Sequence, residues 1–258
     1  VFPNAVNPDE PQFKPNPVTS DKIRFGWLGG SSHLHDLELM ANNISSVIYS
    51  DKAQFVLCGF DTRGKVTMQN QVTQEVTQRD VLPTETVWYQ YEKFFTDDYR
   101  ALDSEYVKYL NKFTREPYND KNLPYVRKWT EDITTYANNY NHFDVSLAPL
   151  VESQFNANKS QLKIIEAGFH KKAIIASDVP PFNLDLTNAF ENGKLNSTGN
   201  ALLVSPVRNH KDWAKHMYKL IKDPELIKEL GERLYQTVKD KYSLPNVCKN
   251  RVEFLKSI

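Results

Sequence analysis

FNANKSQLKIIEAGFHKKAIIAS, residues Phe155–Ser177, decides the fold. Just before it, Asp144–Leu150 (DVSLAPL) is a short apolar run ended by Pro149, the pattern of a buried strand and its exit loop. Asn156 and Asn158 are both good helix caps, and the spacing predicts an amphipathic helix over about Lys159–His170. Ala173–Ala176 is a second apolar run, closed by Ser177-Asp178 and the breakers Pro180-Pro181. Strand, loop, helix, strand is a parallel βαβ unit with a right-handed crossover. The strand's C-terminal edge and the helix N-terminus then open on one side of the sheet, where a phosphate is favoured. Lys159 and Ser160 are expected in that first turn. Two turns on, Glu166 shares a stripe with Lys159, Lys163 and His170, while Leu162, Ile165 and Phe169 form the apolar stripe. At 1.5 Å per residue the carboxylate lies about 10 Å beyond the phosphate position, a span that suits a nucleotide whose ribose needs an acceptor. Two plainer readings stay open: Asn158 as helix cap alone, and the charged stripe as a solvated face with ordinary i,i+4 pairs.

The same residues resemble a known family, the C-terminal donor-binding domain of retaining GT-B glycosyltransferases. Its signature is a Glu, seven residues, then Glu-Ala and a small or apolar run into V-I-A-S. Glu166-Ala167 and Ile174–Ser177 match its second half, and Asn158 stands at the first acidic position. In the family the first acid helps hold the transferred sugar and the second binds the nucleotide ribose. The resemblance therefore implies a ribose contact for Glu166, with Asn158, Lys159, Ser160 and Leu162 beside it in the donor site. The tail, Gly199–Ser243, is similar to the family phrase N-G-L-L-V-x-P … L-L-x-D-P-E-L … Y-S, and Val1–Val6 (VFPNAV) to the I-P-N-G-V-D at which that chain leaves its N-terminal domain. On this likeness residues 1–21, with five prolines, are an interdomain linker or edge segment, and 22–258 the donor-binding domain. The N-terminal, acceptor-binding GT-B domain of the parent chain is then expected outside this sequence.

A second phosphate-binding turn is expected near the start. Ile23–Gly29 (IRFGWLG) reads as a strand running into Gly30-Ser31-Ser32-His33, with Ser32 capping a helix over about Leu34–Tyr49. Gly29 and Gly30 allow close backbone approach, and Ser31, Ser32 and nearby N–H groups suit phosphate oxygens. The glycines fall at 26, 29 and 30, a poor match to G-x-G-x-x-G, which disfavours an NAD enzyme. In the family this loop binds the donor diphosphate, often with an Arg and a Lys. Those cations are absent here, leaving Lys159, Arg127, Lys128 and His33 as candidate phosphate contacts; His33 and His35 are as readily surface histidines.

Gln54–Gly59 and Thr86–Tyr89 read as further strands, and Ala201–Ser205 as the last. Between about 91 and 141 lies a Tyr-rich passage with Tyr106, Tyr109, Leu110 and Phe113 in helical register, read as a helical insertion on one sheet edge. Its aromatics either pack it down or stack on a sugar. Three helical segments, 210–222, 224–242 and 245–258, close the chain. The expected class is thus α/β, a Rossmann-like doubly wound parallel sheet with helices on both faces, a helical insertion and a helical tail.

Composition sets the outer limits. A formal net charge of zero gives no support for a nucleic-acid partner, and no apolar run nears the ~20 residues of a membrane span. Cys58 and Cys248 suggest neither a disulfide framework nor a metal site, so a cytoplasmic setting is expected, peripheral at the inner membrane if the missing domain docks there. No repeat of fixed period is present. The resemblance implies a nucleotide-diphospho-sugar substrate such as a UDP- or GDP-sugar, no cofactor, no metal and retention at the anomeric carbon, with the isolated half inactive by itself. Alternatives are a non-catalytic nucleotide-binding regulatory module, an NAD oxidoreductase, or a structural domain presenting its Tyr-rich insertion to a partner.

Overall fold

A computed structural model describes residues 3–41, 43–48, 50–96, 123–208 and 211–258. The central sheet consists of β1 (Ile23–Leu28), β2 (Ala53–Phe60), β5 (Tyr125–Trp129), β6 (Val145–Ala148), β7 (Ala173–Ser177) and β10 (Leu202–Val204). Their order is β10-β7-β6-β1-β2-β5 and every pairing is parallel. The chain thus starts in the middle, builds outward to β5, then returns beside β1 and builds the other way. That reversal between β1 and β6 leaves a crevice at their C-terminal ends, the usual ligand position in such sheets.

The strands are apolar almost without interruption because both faces are covered. Alternate residues feed two cores: Phe55 and Leu57 of β2 join one, Val56 and Cys58 the other, and Ile175 and Ile174 of β7 divide likewise. The first core holds α1 (Leu34–Ala41), α2 (Ser45–Ile48), α3 (Val87–Phe95) and α6 (Asp212–Lys222). The second holds α5 (Leu162–Phe169) and the end of α7 (Pro224–Val238), which packs across both. The chain's described end is α8 (Leu244–Lys256). The proline-rich start lies against the domain: the Val6 N–H donates to Tyr242 O (2.9 Å), and Val6 O accepts from the Leu244 N–H (2.8 Å).

Several expected elements differ. Thr86–Tyr89 is not a strand; Thr86 precedes α3, whose Trp88, Tyr91 and Phe95 are buried one helical face apart. A four-residue run of Val and aromatics fits either state, and the period over the longer window decides it. The expected helix over Leu34–Tyr49 breaks into α1 and α2. Of the expected helical insertion, Tyr125–Trp129 is the sheet's edge strand, pairing with β2, while Tyr106, Tyr109, Leu110 and Phe113 lie outside the described residues. Two exposed hairpins were not expected: β3 (Lys65–Gln69) with β4 (Val76–Asp80), and β8 (Phe190–Glu191) with β9 (Lys194–Leu195). The second turns on Asn192-Gly193, both at positive φ, the dipeptide typical of a tight hairpin.

Candidate functional site

The exits of β1 and β2 meet backbone to backbone. Gly59 sits at φ +90°, and a Cβ there would fall 2.4 Å from Gly29 O. A Cβ on Gly29 would in turn strike the Trp27 ring at 2.5 Å and come 3.1 Å from Lys163 Nζ. Only glycine fits both places, and the result is an open bend of bare peptide at the sheet's C-terminal edge. Ser31 and Ser32 beyond it are exposed. His33 opens α1 instead of Ser32, its O accepting from the Leu37 N–H (3.0 Å). The His33 ring pairs through Nδ1 with Asp36 Oδ2 (2.8 Å) and stands edge-on to Trp27. Asp36 Oδ1 accepts from the Val151 N–H (2.8 Å), joining the β1 and β6 exits. Burial pushes the Asp36 carboxyl up, but the bonds from His33 and Val151 outweigh it and leave it below the usual carboxylate range.

Across the crevice the chain enters α5 differently from expectation. A one-turn helix, α4 (Gln154–Ala157), comes first, capped by Ser153 Oγ accepting from the Asn156 N–H. Asn158 ends that turn instead of starting the next, its Nδ2 donating to Gln154 O (2.7 Å). Lys159 and Ser160 accordingly precede α5 rather than forming its first turn, and Gln161 is the residue at its N-cap. Lys159 Nζ lies over the Phe155 ring (5.1 Å), and Ser160 Oγ accepts from Asn4 Nδ2 (2.9 Å). Asn, Ser and Lys in sequence are compatible with a cap or a turn, and here Ser153 won the cap.

α5 carries two charged groups that face the crevice. Glu166 is 4% exposed; Oε1 accepts from the Tyr136 hydroxyl, and Oε2 from the Tyr140 hydroxyl (3.1 Å). Burial raises its carboxyl above the ordinary range, against the pull of both hydroxyls and Lys163. One helical turn earlier, Lys163 Nζ donates to Leu28 O (2.7 Å) and lies 4.5 Å from the Trp27 ring centroid. Burial lowers the ammonium to about 8, opposed by the charges of Glu166 and Asp36. Behind Tyr140, the His170 ring stacks at 5.1 Å between centroids, and burial holds it down at about 4. The stripe of Glu166, Lys163 and His170 is therefore largely inward, not a solvated face.

Glu166, Lys163 and Tyr136 border a cleft of about 450 Å³, of a size that suits a small ligand. Leu28, Gly29 and Gly30 line it from β1, Gly59 from β2, Thr130, Glu131 and Ile133 from the exit of β5, and Tyr136 with Asn139 from a 3₁₀ turn. Leu162, Lys163 and Glu166 form its floor from α5. Of the residues expected at the site, Gly29, Gly30, Leu162 and Glu166 come together here. Ser31, Ser32, His33, Asn158, Lys159 and Ser160 are not among its lining residues. Nor are Arg127 and Lys128, which belong to β5; Arg127 Nη1 donates to Glu92 Oε1 (3.3 Å), and its guanidinium lies over the Phe60 ring. Tyr136, Asn139, Gly59 and Thr130 were not anticipated, since nothing in their local sequence sets them apart. Among the described residues no group of three or more His, Cys, Asp or Glu side chains could hold a metal ion, and no helix is long and apolar enough to cross a membrane.

The architecture is that of the C-terminal domain of GT-B glycosyltransferases. Among solved structures the chain is similar to a glycosyltransferase from Rickettsia africae (TM-score 0.59, 14% identity, covering 98% of this chain and 55% of that one). It is also similar to Anabaena HepE in complex with UDP-glucose (TM-score 0.50, 12% identity, 92% and 50%). A third is the catalytic domain of Arabidopsis thaliana starch synthase IV bound to ADP and acarbose (TM-score 0.52, 12% identity, 94% and 39%). The chain thus spans about half the length of these proteins, or less. No protein-family model and no curated protein sequence matches it.

Proposed function

We propose that residues 22–258 are the donor-binding domain of a glycosyltransferase, with 1–21 an edge segment leading to an acceptor-binding domain. The donor is a nucleotide-diphospho-sugar such as a UDP- or GDP-sugar, bound in the cleft at the β1/β6 reversal. The observation that carries this reading is the buried carboxylate of Glu166 on the floor of a cleft whose far wall is the bare Gly29-Gly30 bend. A carboxylate has about four acceptor positions, and the two tyrosines take two, so Glu166 retains capacity for a pair of ribose hydroxyls. The diphosphate then lies toward the glycine bend; the Gly29 N–H already donates to Cys58 O (3.4 Å), so the N–H groups from Gly30 onward are the donors meant for it. In transfer with retention, the bond from the sugar's anomeric carbon to the diphosphate oxygen breaks, and the electron pair stays on that oxygen. The acceptor hydroxyl bonds to the carbon from the same face, and its proton passes to the departing diphosphate. Protein donors stabilise the developing charge without a required metal.

One feature favours a second reading, a nucleotide-binding module without transfer. Asn158, at the position of the family's first acid, spends its side chain on Gln154 O and does not line the cleft. Thermal-shift measurements with UDP-, GDP- and ADP-sugars separate the two, with Glu166→Gln as control. A donor site gives a concentration-dependent rise for one sugar nucleotide that exceeds the rise with its free nucleotide and is lost in the variant. Equal shifts with and without the sugar would favour the regulatory module, and no shift at millimolar concentration with any nucleotide overturns both.

A further inference from the structure

The glycine bend lacks the cations that a diphosphate needs, and the candidates suggested by the sequence do not stand in the cleft: Lys159 lies over Phe155, and Arg127 is engaged by Glu92. Lys163 does line it. We propose that Lys163 is the diphosphate-binding cation of this site, reaching from the helix floor to the glycine bend in place of a loop Arg or Lys. This rests on the donor-site reading above.

Three observations position it. Its Nζ is fixed at the bend by the 2.7 Å bond to Leu28 O, the carbonyl immediately before Gly29. The lack of a side chain on Gly29 leaves room beside the ammonium, since a Cβ would come 3.1 Å from Nζ. The Trp27 face, 4.5 Å away, supports a positive charge there by its quadrupole. An ammonium has three donors; Leu28 O takes one, so an anion at the bend can take another. Glu166 stands three residues, about 4.5 Å, further along the helix axis, and the reach of the lysine stem toward the bend adds to its separation from an anion held there. Charged and ionisable groups face Lys163 from its surroundings: Glu166 on the same helix, Asp36 on α1, and Lys159 on the loop before α5. With Lys163 itself these are two acids and two bases, and a bound phosphate strengthens the ammonium's hold on its proton.

The test is isothermal titration with UDP and GDP against uridine and guanosine, for the wild-type chain and Lys163→Met. The expected result is a diphosphate preference in wild type that falls about 10- to 100-fold in the variant, with nucleoside binding little changed. If wild type prefers the diphosphate and Lys163→Met keeps that preference, the assignment to Lys163 is wrong while the donor site stands. If wild type binds neither nucleotide, the donor-site reading fails and takes this inference with it. Should the variant not fold, wild-type titrations between pH 7 and 9 decide: affinity for the preferred diphosphate drops above about pH 8 as the ammonium loses its proton. A flat profile overturns the proposal.

Discussion

Tyr136 and Glu166, thirty residues apart, are joined by a hydrogen bond from the tyrosine hydroxyl to Oε1 at the bottom of the cleft. The bond ties the 3₁₀ turn after β5 to the floor helix, so the carboxylate proposed to grip ribose is held from the side of the cleft nearest β5. Tyr140 secures the other oxygen, and its own ring is wedged against His170 and Phe143. A buried acid held by two hydroxyls has one orientation, which is what a pair of ribose hydroxyls requires of its acceptor.

Tyr136→Phe should destabilise the chain by about 1–3 kcal/mol, because it removes a donor from a buried carboxyl. In a Glu166→Gln background the same change should cost less, and urea unfolding of the four proteins gives the coupling directly. Equal costs in both backgrounds would mean the bond contributes nothing. The carboxyl also sets a pH slope. Its folded value lies above the unfolded 4.5, so the folded chain holds the proton more tightly and stability falls as pH rises through that window. Glu166→Gln should remove this part of the slope.

Lys163 gives a slope on the alkaline side. Its folded value of about 8 lies below the unfolded 10.5, so the unfolded chain binds the extra proton between them. Stability contributed by this group therefore rises from pH 8 to 10.5, the reverse of a lysine that gains a strong acid partner. Lys163→Met should flatten the rise in chemical unfolding curves. Lys172, lowered by burial to about 8 as well, supplies a parallel slope that the variant leaves in place.

Asp36 acts in acid. Its folded value is depressed, so its contribution is present above the unfolded 3.8 and is lost as pH falls through the folded value. Asp36→Asn keeps the shape and one acceptor, for the Val151 N–H, but loses the charge facing His33. Acid unfolding should then lose this group's share of the slope, with a cost at pH 7 of about 1–3 kcal/mol for a weakened buried charged bond. An unchanged pH profile would show that the His33 pair is solvated.

The parallel sheet was legible because β1, β2, β6, β7 and β10 are short apolar runs bounded by Gly, Pro or Asp, and βαβ chirality then limits the topology. Glu166 was legible through a spacing and a family phrase. The rest depended on competition that no local pattern records. Whether Ser153, Asn156 or Asn158 caps a helix is settled by which side chain finds an N–H, and Ser153 takes it. Whether Lys163 is a surface lysine or a cleft lysine depends on Leu28 and Trp27, about 135 residues away. Tyr136 acquires its partner only when β5 takes the sheet edge. Thr86–Tyr89 was too short a window to distinguish period 2 from period 3.6, although Tyr91 and Phe95 continue the helical one.

Gly59→Ala tests whether the bare bend is required. At φ +90° an alanine is strained by about 1–3 kcal/mol, and its Cβ would sit 2.4 Å from Gly29 O, so the backbone of one strand exit must move. The movement displaces Gly29 and with it the Leu28 carbonyl that holds Lys163. Two effects should therefore appear together: a melting point lower by several degrees, and a loss of diphosphate affinity greater than the loss of nucleoside affinity. Gly193→Ala, also at positive φ but in the exposed β8–β9 turn with nothing within 4 Å of its Cβ, is the control. It should lower the melting point through strain alone and leave nucleotide binding intact. If both variants lose the same fraction of affinity, the bend is only a turn, and the contact between the β1 and β2 exits has no part in the site.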